Sequence, residues 1–361
     1  MTIRARDLGI APAGRPGPND AITDVPGVEV GFTTLVEGTS VRTGVTAVLP
    51  RGKADFGTPC AAGRYSLNGN GEMTGTAMID ESGALPLPVL ITNTHAVGPC
   101  HRGAIDWVVR ERPDSPPRWL LPVVAETWDG YLNDTDASVV RPEDAVAALD
   151  AAASGPVAEG SVGGGTGMTC YGYKGGTGTA SRVVSYAGQE FTVGVLLQAN
   201  FGDRGELTVA GERVGVADLA EDDPMSDTSW LAPAGAGSVI VIVATDAPLL
   251  PNQCQALARR VPFGLARTGT TGSHFSGDLF LAFSTANPGA LTSHFPRADD
   301  AEFETLSFVP WGRIDPFYEA TVQAVEEAVL NALVAAEDMT GNDGHRVPAM
   351  PHERWKTRVD A

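Results

Sequence analysis

Short apolar runs bounded by glycine, proline or asparagine recur along the chain and predict a series of buried strands. Several of these runs are apolar at every position and do not alternate with polar residues, which is typical of strands that are covered on both faces. The predicted strands are Val45–Leu49, Pro88–Thr92, Trp119–Ala125, Arg182–Tyr186, Thr192–Gln198, Ser238–Ala244 and Leu279–Thr285.

Helix signals are fewer and stand between or after the strands. The clearest helix begins at Asp315-Pro316, where a capping carboxylate precedes a proline at the first helical position. Apolar residues then follow at helical spacing as far as Leu333. Strands with helices between and after them predict a strand-rich α/β protein in which helices cover a pair of sheets. The other predicted helices are Arg102–Arg110, Pro142–Ala153 and Pro251–Arg260.

Composition and charge narrow the classes of function. With 361 residues, 43% of them hydrophobic and 19% charged, the chain is typical of one large globular domain over residues 1–361. A net charge of −19 without any basic block argues against nucleic acid and anionic membranes as partners. The start has no apolar signal-peptide core, no run is long enough to span a membrane, and the four cysteines are scattered. We therefore expect a cytoplasmic protein with reduced, mostly buried thiols.

The boundary at Gly237–Ser238 is the most informative place in the sequence. The stretch 220–237 is acidic and then rich in proline, alanine and glycine, and it ends where Ser238 begins the most apolar run of the chain. Ser238 could simply start a strand after a loop, which composition alone favours. It could instead be an N-terminal nucleophile, because cleavage before it would leave an α-amine with a pKa of about 7.7–8.0 to accept the hydroxyl proton. Gly237 would tolerate the strained backbone that such a cleavage requires.

A family resemblance changes the balance between these two interpretations. Nine segments carry it, in order and over nearly the whole chain: NDAITDVPGVEVGFTTL (19–35), SLNGNGEMTGTAMIDESG (66–83), ITNTHAVG (91–98), PVVAETWDGYLND (122–134), GGGTGMTCYGYKGGTGTASR (163–182), GVLLQANFG (194–202), GSVIVIVATDAPLLPNQ (237–253), SGDLFLAFSTAN (276–287) and DGHRVPAMPH (343–352). With them the chain resembles the self-cleaving L-aminopeptidase/D-esterases and β-peptidyl aminopeptidases, which cleave themselves before a serine.

The resemblance implies a fold, a reaction and a set of partners. The fold is an α/β (α+β) four-layer αββα sandwich of the N-terminal-nucleophile-like type, related to ornithine acetyltransferases. The chain would cleave itself into residues 1–237 and 238–361. Ser238 would then attack the carbonyl of an N-terminal residue, form an acyl-enzyme and release the amino acid by hydrolysis, with no metal or organic cofactor. Implied substrates are small peptides and amino-acid amides or esters with a free amine, and the implied assembly is a homotetramer of processed heterodimers.

The resemblance also assigns roles to individual residues. Ser276 and Asp278 lie two apart, which places both side chains on one side of a strand. Asp278 would orient Ser276, and Ser276 would position the hydroxyl and amine of Ser238. Asn200, at the end of a strand, would donate to an oxyanion, and Glu126 would bind the substrate's ammonium group. Without the resemblance these residues are a loop serine, a strand-entry aspartate, a turn asparagine and a solvated glutamate.

One position departs from part of the family. Trp128 stands where some members have a tyrosine whose hydroxyl helps to hold the oxyanion, and tryptophan offers only an N–H donor. Tyr131 or a backbone N–H are the alternative donors. Asn93, Asn68 and Asn70 are expected to line the pocket, and Glu72 is the second candidate for the ammonium site.

Other signals and functions remain as alternatives. The glycine-rich segment 163–182 does not match a phosphate-binding motif, so close packing of its backbone is the better explanation. The spacing of His95, Cys100 and His101 matches no usual zinc site. A self-processing acyltransferase, an amide-oligomer hydrolase and an unprocessed binding protein of the same fold stay open, although the two enzyme types generally cleave before threonine. The stereochemistry of the substrate and its α or β type stay open as well.

Overall fold

The computed structural model describes residues 3–10, 12–113, 119–214, 237–296, 298 and 300–352, and within them it contains sixteen strands and six α-helices. The strands are β1 (Glu29–Glu37), β2 (Val41–Leu49), β3 (Cys60–Gly69), β4 (Ala84–Leu85), β5 (Val89–Asn93), β6 (Val123–Thr127), β7 (Thr169–Cys170), β8 (Tyr173–Lys174), β9 (Gly176–Tyr186), β10 (Gln189–Asn200), β11 (Thr208–Val209), β12 (Glu212–Arg213), β13 (Gly237–Thr245), β14 (Ser276–Ser284), β15 (Met339–Thr340) and β16 (Arg346–Val347). The helices are α1 (Thr76–Ser82), α2 (Val97–Glu111), α3 (Pro142–Asp150), α4 (Pro251–Ala258), α5 (Val261–Arg267) and α6 (Asp315–Val334).

Two sheets pack face to face and carry helices on their outer faces. One sheet has the strand order β1-β2-β5-β6 and the other the order β4-β3-β14-β13-β10-β9. One apolar cluster fills the space between the sheets, a second joins α2 and α3 to the four-stranded sheet, and a third joins α4, α5 and α6 to the six-stranded sheet. This arrangement confirms the predicted four-layer αββα sandwich.

Strand β13 lies at the centre of the six-stranded sheet. It pairs antiparallel with β10 on one side and parallel with β14 on the other. Its residues alternate between the two cores: Val239 and Val241 face the outer helices, whereas Ile240 and Ile242 face the second sheet. The strand is apolar at nearly every position because both of its faces are buried.

The sequence-predicted strands all overlap strands of the structure, but one of them begins too early. The run Trp119–Ala125 becomes a strand only at Val123, after Pro122, which has no backbone N–H for a ladder. Trp119 and Leu121 are 81% and 50% exposed and border a cavity of about 680 Å³. The predicted helices are present, with α2 starting earlier than expected and α3 and α4 ending two or three residues sooner.

The glycine-rich segment packs as expected. A Cβ atom at Gly164 would lie 2.2 Å from the Gln198 side chain, and one at Gly178 would lie 1.9 Å from the carbonyl oxygen of Ala328 on α6. Close backbone packing is therefore the confirmed reason for these glycines. All four cysteines are free and buried, also as expected. Within the described ranges, every helix is too short or too polar to cross a bilayer.

A buried ion-pair network joins the N-terminal segment to β9 and α6. Arg182 on β9 lies 2.5 Å from the carboxylate of Glu327 on α6, and Arg6 approaches the same carboxylate at 2.6 Å. Arg4 pairs with Glu159 at 2.8 Å. Because the Glu327 carboxylate is fully buried, losing one arginine would leave a buried charge with only the other arginine as its partner, and losing both would leave it without compensation. Residues 4–6 are thus fixed against β9 and α6.

Candidate active site

Ser238 is the second residue of β13 and lies 2% exposed at the strand's beginning. Its register partners are Asn200 on β10 and Gly277 on β14. Strand periodicity places its side chain on the same face as Ile240, toward the second sheet. The hydroxyl therefore lies between the two sheets, at the edge where the pairings of β13 with β10 and with β14 begin or end.

Two N–H donors converge on the Ser238 hydroxyl. The backbone N–H of Trp128, just after β6, donates to Oγ at 3.2 Å, and Nδ2 of Asn200 lies 3.4 Å from the same atom. Asn200 is fixed in orientation because Nδ2 also donates to the Trp128 carbonyl at 2.8 Å while Oδ1 accepts from the backbone N–H of Thr169 at 2.9 Å. Trp128 thus contacts the Ser238 hydroxyl through its backbone N–H, and a backbone N–H as the second oxyanion donor stays one of the predicted alternatives.

The Trp128 ring and Tyr131 take other places. A Cβ atom at Gly130 would lie 2.3 Å from the indole ring of Trp128, so glycine at 130 makes room for the ring. Tyr131 stacks on His345 with a centroid separation of 4.4 Å and packs in a satellite cluster with Leu132. Of the two candidates, Trp128 is the residue that touches Ser238, through its main chain.

Ser276 and Asp278 form a hydrogen-bonded pair on β14, as their spacing predicted. Ser276 Oγ donates to Asp278 Oδ1 at 2.5 Å. Burial raises the pKa of Asp278, and hydrogen bonds from Ser276, from the Asn68 amide and from the Val239 backbone N–H oppose the rise. Both residues belong to the strand itself, whereas the sequence had placed them just before it.

The register between β13 and β14 shows where the Ser276–Asp278 pair lies relative to Ser238. Ser276 is the partner of Gly237 and Asp278 the partner of Val239. Their side chains therefore share the face of Phe280, which is the helix side of the sheet and opposite to the Ser238 hydroxyl. The Ser276–Asp278 pair consequently lies beside the backbone on both sides of Ser238, and Asp278 accepts the backbone N–H of Val239.

Glu126, the predicted ammonium ligand, is 3% exposed near the end of β6. Its Oε1 accepts the backbone N–H of Glu72 at 2.9 Å, and Thr94 Oγ1 donates to Oε2. Burial raises the pKa of Glu126, while the hydrogen bonds from Thr94 and from the Glu72 backbone oppose the rise. Glu72 itself is exposed and contributes its main chain to the site.

Gly71 connects the glutamate to the strand beside the serine. A Cβ atom at Gly71 would lie 3.2 Å from Glu126 Oε1 and 3.3 Å from the Cα atom of Gly277. The gap between the Glu126 carboxylate and the Gly277 backbone is therefore about as wide as one methyl group. Gly277 is in turn the register partner of Ser238. The structure thus brings Glu126, Asn200, Ser238, Ser276 and Asp278 into one region.

Asn93 lies among buried polar groups behind this region. Its Nδ2 donates to Thr43 Oγ1 at 2.7 Å, and its Oδ1 accepts the backbone N–H of His95 at 3.0 Å. Its amide oxygen therefore holds the turn after β5, and its amide nitrogen ties that turn to β2. In the described part of the chain no three His, Cys, Asp or Glu side chains are placed to hold a metal ion.

Asp129 is a buried residue of the site that the sequence did not single out. Its Oδ1 accepts from Asn133 Nδ2 at 3.1 Å and from Thr135 Oγ1 at 3.2 Å, and its carbonyl accepts the backbone N–H of Asn133 at 3.0 Å. These bonds fix the turn that follows Trp128. Burial raises the pKa of Asp129 to about 6 despite hydrogen bonds from its polar neighbours, Thr43 first among them.

An Asp129→Asn variant is expected to change how stability depends on pH. The pKa of Asp129 in the folded state, about 6, lies above the ordinary value of 3.8, so the folded protein binds this proton more tightly than the unfolded chain does. The contribution to the free energy of unfolding is therefore fully present below about pH 4 and is lost as the pH rises through about 6, by roughly 3 kcal/mol. Melting curves of both proteins between about pH 4 and 7 measure it. Parallel curves for wild type and variant would contradict the assignment.

Comparisons with known proteins identify the family of the chain and agree with its fold. The model of Peptidase family S58 matches residues 20–347. Beta-peptidyl aminopeptidases from Sphingosinicella microcystinivorans and Sphingosinicella xenopeptidilytica are 48% and 43% identical, over 97% of this chain in both cases and over 90% and 89% of their own lengths. The solved structure of the L-aminopeptidase D-Ala-esterase/amidase from Ochrobactrum anthropi, described as a prototype serine aminopeptidase with a variant of the Ntn hydrolase fold, is 46% identical with a TM-score of 0.91, over 99% of this chain and 98% of that one. A beta-aminopeptidase from Burkholderia sp. has the same TM-score and coverage at 44% identity.

Proposed function

Because this chain belongs to peptidase family S58 and is an aminopeptidase, we propose that Ser238 is its nucleophile and that cleavage of the Gly237–Ser238 bond produces that nucleophile. The observation that carries the proposal is the convergence of two N–H donors on the Ser238 hydroxyl at the beginning of a central strand. A serine that only started a strand would need no such pair of donors.

Self-cleavage would run through an ester. Ser238 Oγ attacks the Gly237 carbonyl carbon, the C–N bond breaks, and the hydroxyl proton ends on the released nitrogen. Water then hydrolyses the ester, which gives a carboxylate at Gly237 and a free hydroxyl and amine at Ser238. The fragments are 1–237 and 238–361.

Glycine at position 237 fits this step for a reason of space. A Cβ atom there would lie 2.1 Å from the carbonyl oxygen of Asn200, so a side chain would push the start of β13 away from β10. Gly237 is absent from the described residues with positive φ, so tolerance of a strained backbone during the attack stays a prediction.

Acyl transfer would use the same groups in a second round. The α-amine of Ser238 takes the proton from Oγ as Oγ attacks the substrate carbonyl. Asn200 Nδ2 and the Trp128 N–H stabilise the negative charge on the carbonyl oxygen, and one such donor contributes about 2.7–4 kcal/mol to lowering a barrier. Ser276 and Asp278 orient the α-amine, since they lie along the backbone on both sides of Ser238.

Glu126 would select substrates that have a free amine. A buried carboxylate without a cation is costly, and an incoming ammonium group offsets that cost by a charge-assisted hydrogen bond. The proximity of Glu126 to the strand beside Ser238, across Gly71, supports binding of the ammonium next to the bond that is cut.

A Glu126→Gln variant is expected to process itself normally but to bind substrate poorly. Self-cleavage requires no external amine, whereas the loss of a charged hydrogen bond costs roughly 1.5–3 kcal/mol, which is about a tenfold to hundredfold fall in kcat/KM. N-acetylated substrates should be poor for the wild type, and acetylation should matter less in the variant. Kinetics with matched free and acetylated aminoacyl p-nitroanilides measure both effects.

Glu72→Gln is the matched comparison, because Glu72 is exposed and keeps its backbone N–H bond to Glu126. It should retain the preference for a free amine. Loss of that preference in Glu72→Gln alone would make Glu72 the ammonium ligand. Equal hydrolysis of free and acetylated substrates by the wild type would exclude recognition of the amine altogether.

The substrates are proposed from the relatives. Their names describe beta-peptidyl aminopeptidases and an L-aminopeptidase D-Ala-esterase/amidase, so we propose that this chain hydrolyses small peptides, amides or esters with a free N-terminal amine. A panel that varies stereochemistry and α or β type would define its preference. A homotetramer and a cytoplasmic location stay predictions. An acyltransferase activity is less favoured, because self-cleaving acyltransferases generally cleave before threonine and this junction has serine.

A further inference from the structure

Asn68 on β3 joins the Asp278 carboxylate to the loop that leads into β14. The two residues are register partners in the antiparallel β3–β14 pair. Asn68 Nδ2 lies 2.9 Å from Asp278 Oδ2, 2.9 Å from the carbonyl oxygen of Ser273 and 3.5 Å from that of Gly272. An amide nitrogen carries two hydrogens, so it can serve the carboxylate and the loop at the same time.

We propose that Asn68 is a positioning residue for the nucleophile, which it serves by holding Asp278 in the orientation that engages Ser276 and the backbone beside Ser238. The inference rests on the proposed function, in which Ser276 and Asp278 act on the nitrogen of Ser238. Asn68 touches none of the reacting atoms and works through Asp278.

Each carboxylate oxygen of Asp278 has its own side-chain hydrogen-bond partner, and together the two bonds fix the carboxylate's orientation. Oδ1 accepts from Ser276 Oγ and Oδ2 accepts from Asn68. A carboxylate can rotate about its terminal bond, and a bond to each oxygen fixes that rotation. Without Asn68, Oδ2 would lose this partner in a buried place, and the carboxylate could turn away from Ser276.

Asn70 offers a comparison within the same loop contact. Its Nδ2 donates to the carbonyl oxygen of His274 at 2.9 Å, so it ties residues 68–72 to residues 272–274 as Asn68 does. This bond goes to the loop and not to Asp278. A variant at Asn70 therefore shows the effect of losing a bond to the loop. A variant at Asn68 shows that effect together with the loss of the hydrogen bond to Asp278.

The described groups around Asp278 are few and uncharged, so a shift of its pKa can be followed in a pH profile. In the described residues, the groups that act on its pKa are Ser276, Asn68 and the Val239 backbone, and none of these is charged. Titratable side chains also contact the neighbouring loop. They include His274, whose ring packs on Phe275, and Glu206, which accepts from Thr271. The hydroxyl of Tyr171 accepts the Thr270 backbone N–H at 3.2 Å. In the cleaved protein the α-amine of Ser238 joins them. Removing the Asn68 bond takes away a group that holds the pKa of Asp278 down.

The test compares Asn68→Ala and the isosteric Asn68→Asp with Asn70→Ala. Both Asn68 variants should slow self-cleavage and lower kcat about tenfold or more, with a smaller change in KM. The acid limb of the kcat profile should move to higher pH, and further in Asn68→Asp because two adjacent carboxylates resist ionising together. Asn70→Ala should keep the acid limb of the wild type.

Two outcomes are decisive and differ from each other. If Asp278→Asn is impaired while both Asn68 variants cleave, turn over and titrate like Asn70→Ala, the positioning role of Asn68 is wrong and the proposed function stands. If Asp278→Asn itself cleaves and turns over like the wild type, the proposed function fails at Asp278. Melting temperatures of all variants separate these results from a general loss of folding, and Asn68→Asp supplies a variant of unchanged size.

Discussion

A Ser238→Ala protein is expected to remain a single polypeptide of 37.5 kDa without hydrolytic activity, whereas the wild type separates into fragments 1–237 and 238–361 on a denaturing gel. Alanine removes Oγ, the only atom of the residue that can attack a carbonyl. Loss of a serine nucleophile costs about a millionfold in turnover where it has been measured. The fold should persist, because Ser238 is buried and alanine occupies less of the same space.

Ser284→Ala is the matched control for this experiment. Ser284 is a buried serine at the far end of β14 that donates to the carbonyl of Ala247, so its loss removes a buried hydroxyl away from the site. This variant should cleave itself and hydrolyse substrate. Two fragments from Ser238→Ala would exclude Ser238 as the cleaving residue. A wild-type protein that stays intact and fully active would exclude self-cleavage.

Asp278→Asn is expected to show slow or incomplete self-cleavage and a large fall in turnover, of about a hundredfold or more. The substitution keeps the size of the side chain but replaces one carboxylate oxygen with an NH₂ group. At the Oδ2 position the new NH₂ would face Nδ2 of Asn68, which can only donate. At the Oδ1 position it would force the Ser276 hydroxyl to change from donor to acceptor. The substitution also removes the charge that, in the proposed reaction, would orient the α-amine of Ser238.

Two measurements separate the effects of Asp278→Asn. The fraction of intact chain over time reports self-cleavage, and kcat of the purified cleaved form reports the hydrolytic reaction. Asp246→Asn is the control, because Asp246 is a partly buried carboxylate just beyond the other end of β13 that accepts the Thr192 backbone N–H at 2.7 Å. A fully cleaved Asp278→Asn protein with wild-type kinetics would remove Asp278 from the mechanism.

The parts of the fold that sequence predicts are those with a strong local pattern. Strand β13 is apolar along its length because both faces are covered, and that pattern is visible without any knowledge of its neighbours. Strands β1 and β3 are buried in one half and exposed or half-buried in the other, so their pattern resembles loops and was not recognised. Trp119–Leu121 is the opposite case: apolar residues that lie partly in solvent beside a cavity.

The candidate site divides in the same way. Ser276 and Asp278 could be paired from sequence because a strand places residues two apart on one face. The Trp128 N–H could not be predicted, because it is a backbone group that meets Ser238 across 110 positions of sequence. The burial of Asp129 likewise depends on Asn133 and Thr135, which fold back and donate to its carboxylate. The amino-acid sequence of a turn does not predict such a contact.

The central place of β13 has a consequence for the timing of activation. A break at Gly237–Ser238 would leave β13, β14 and α6 on one fragment and β3, β9 and β10 on the other, still sharing one sheet and the buried pairs of Arg6 and Arg182 with Glu327. The groups around the hydroxyl come from both sides of that break, since Trp128 and Asn200 precede it and Ser238 follows it. Only a chain that has already closed its sheet could therefore cut itself. The cut would act as a checkpoint, because a misfolded copy would remain an inert zymogen.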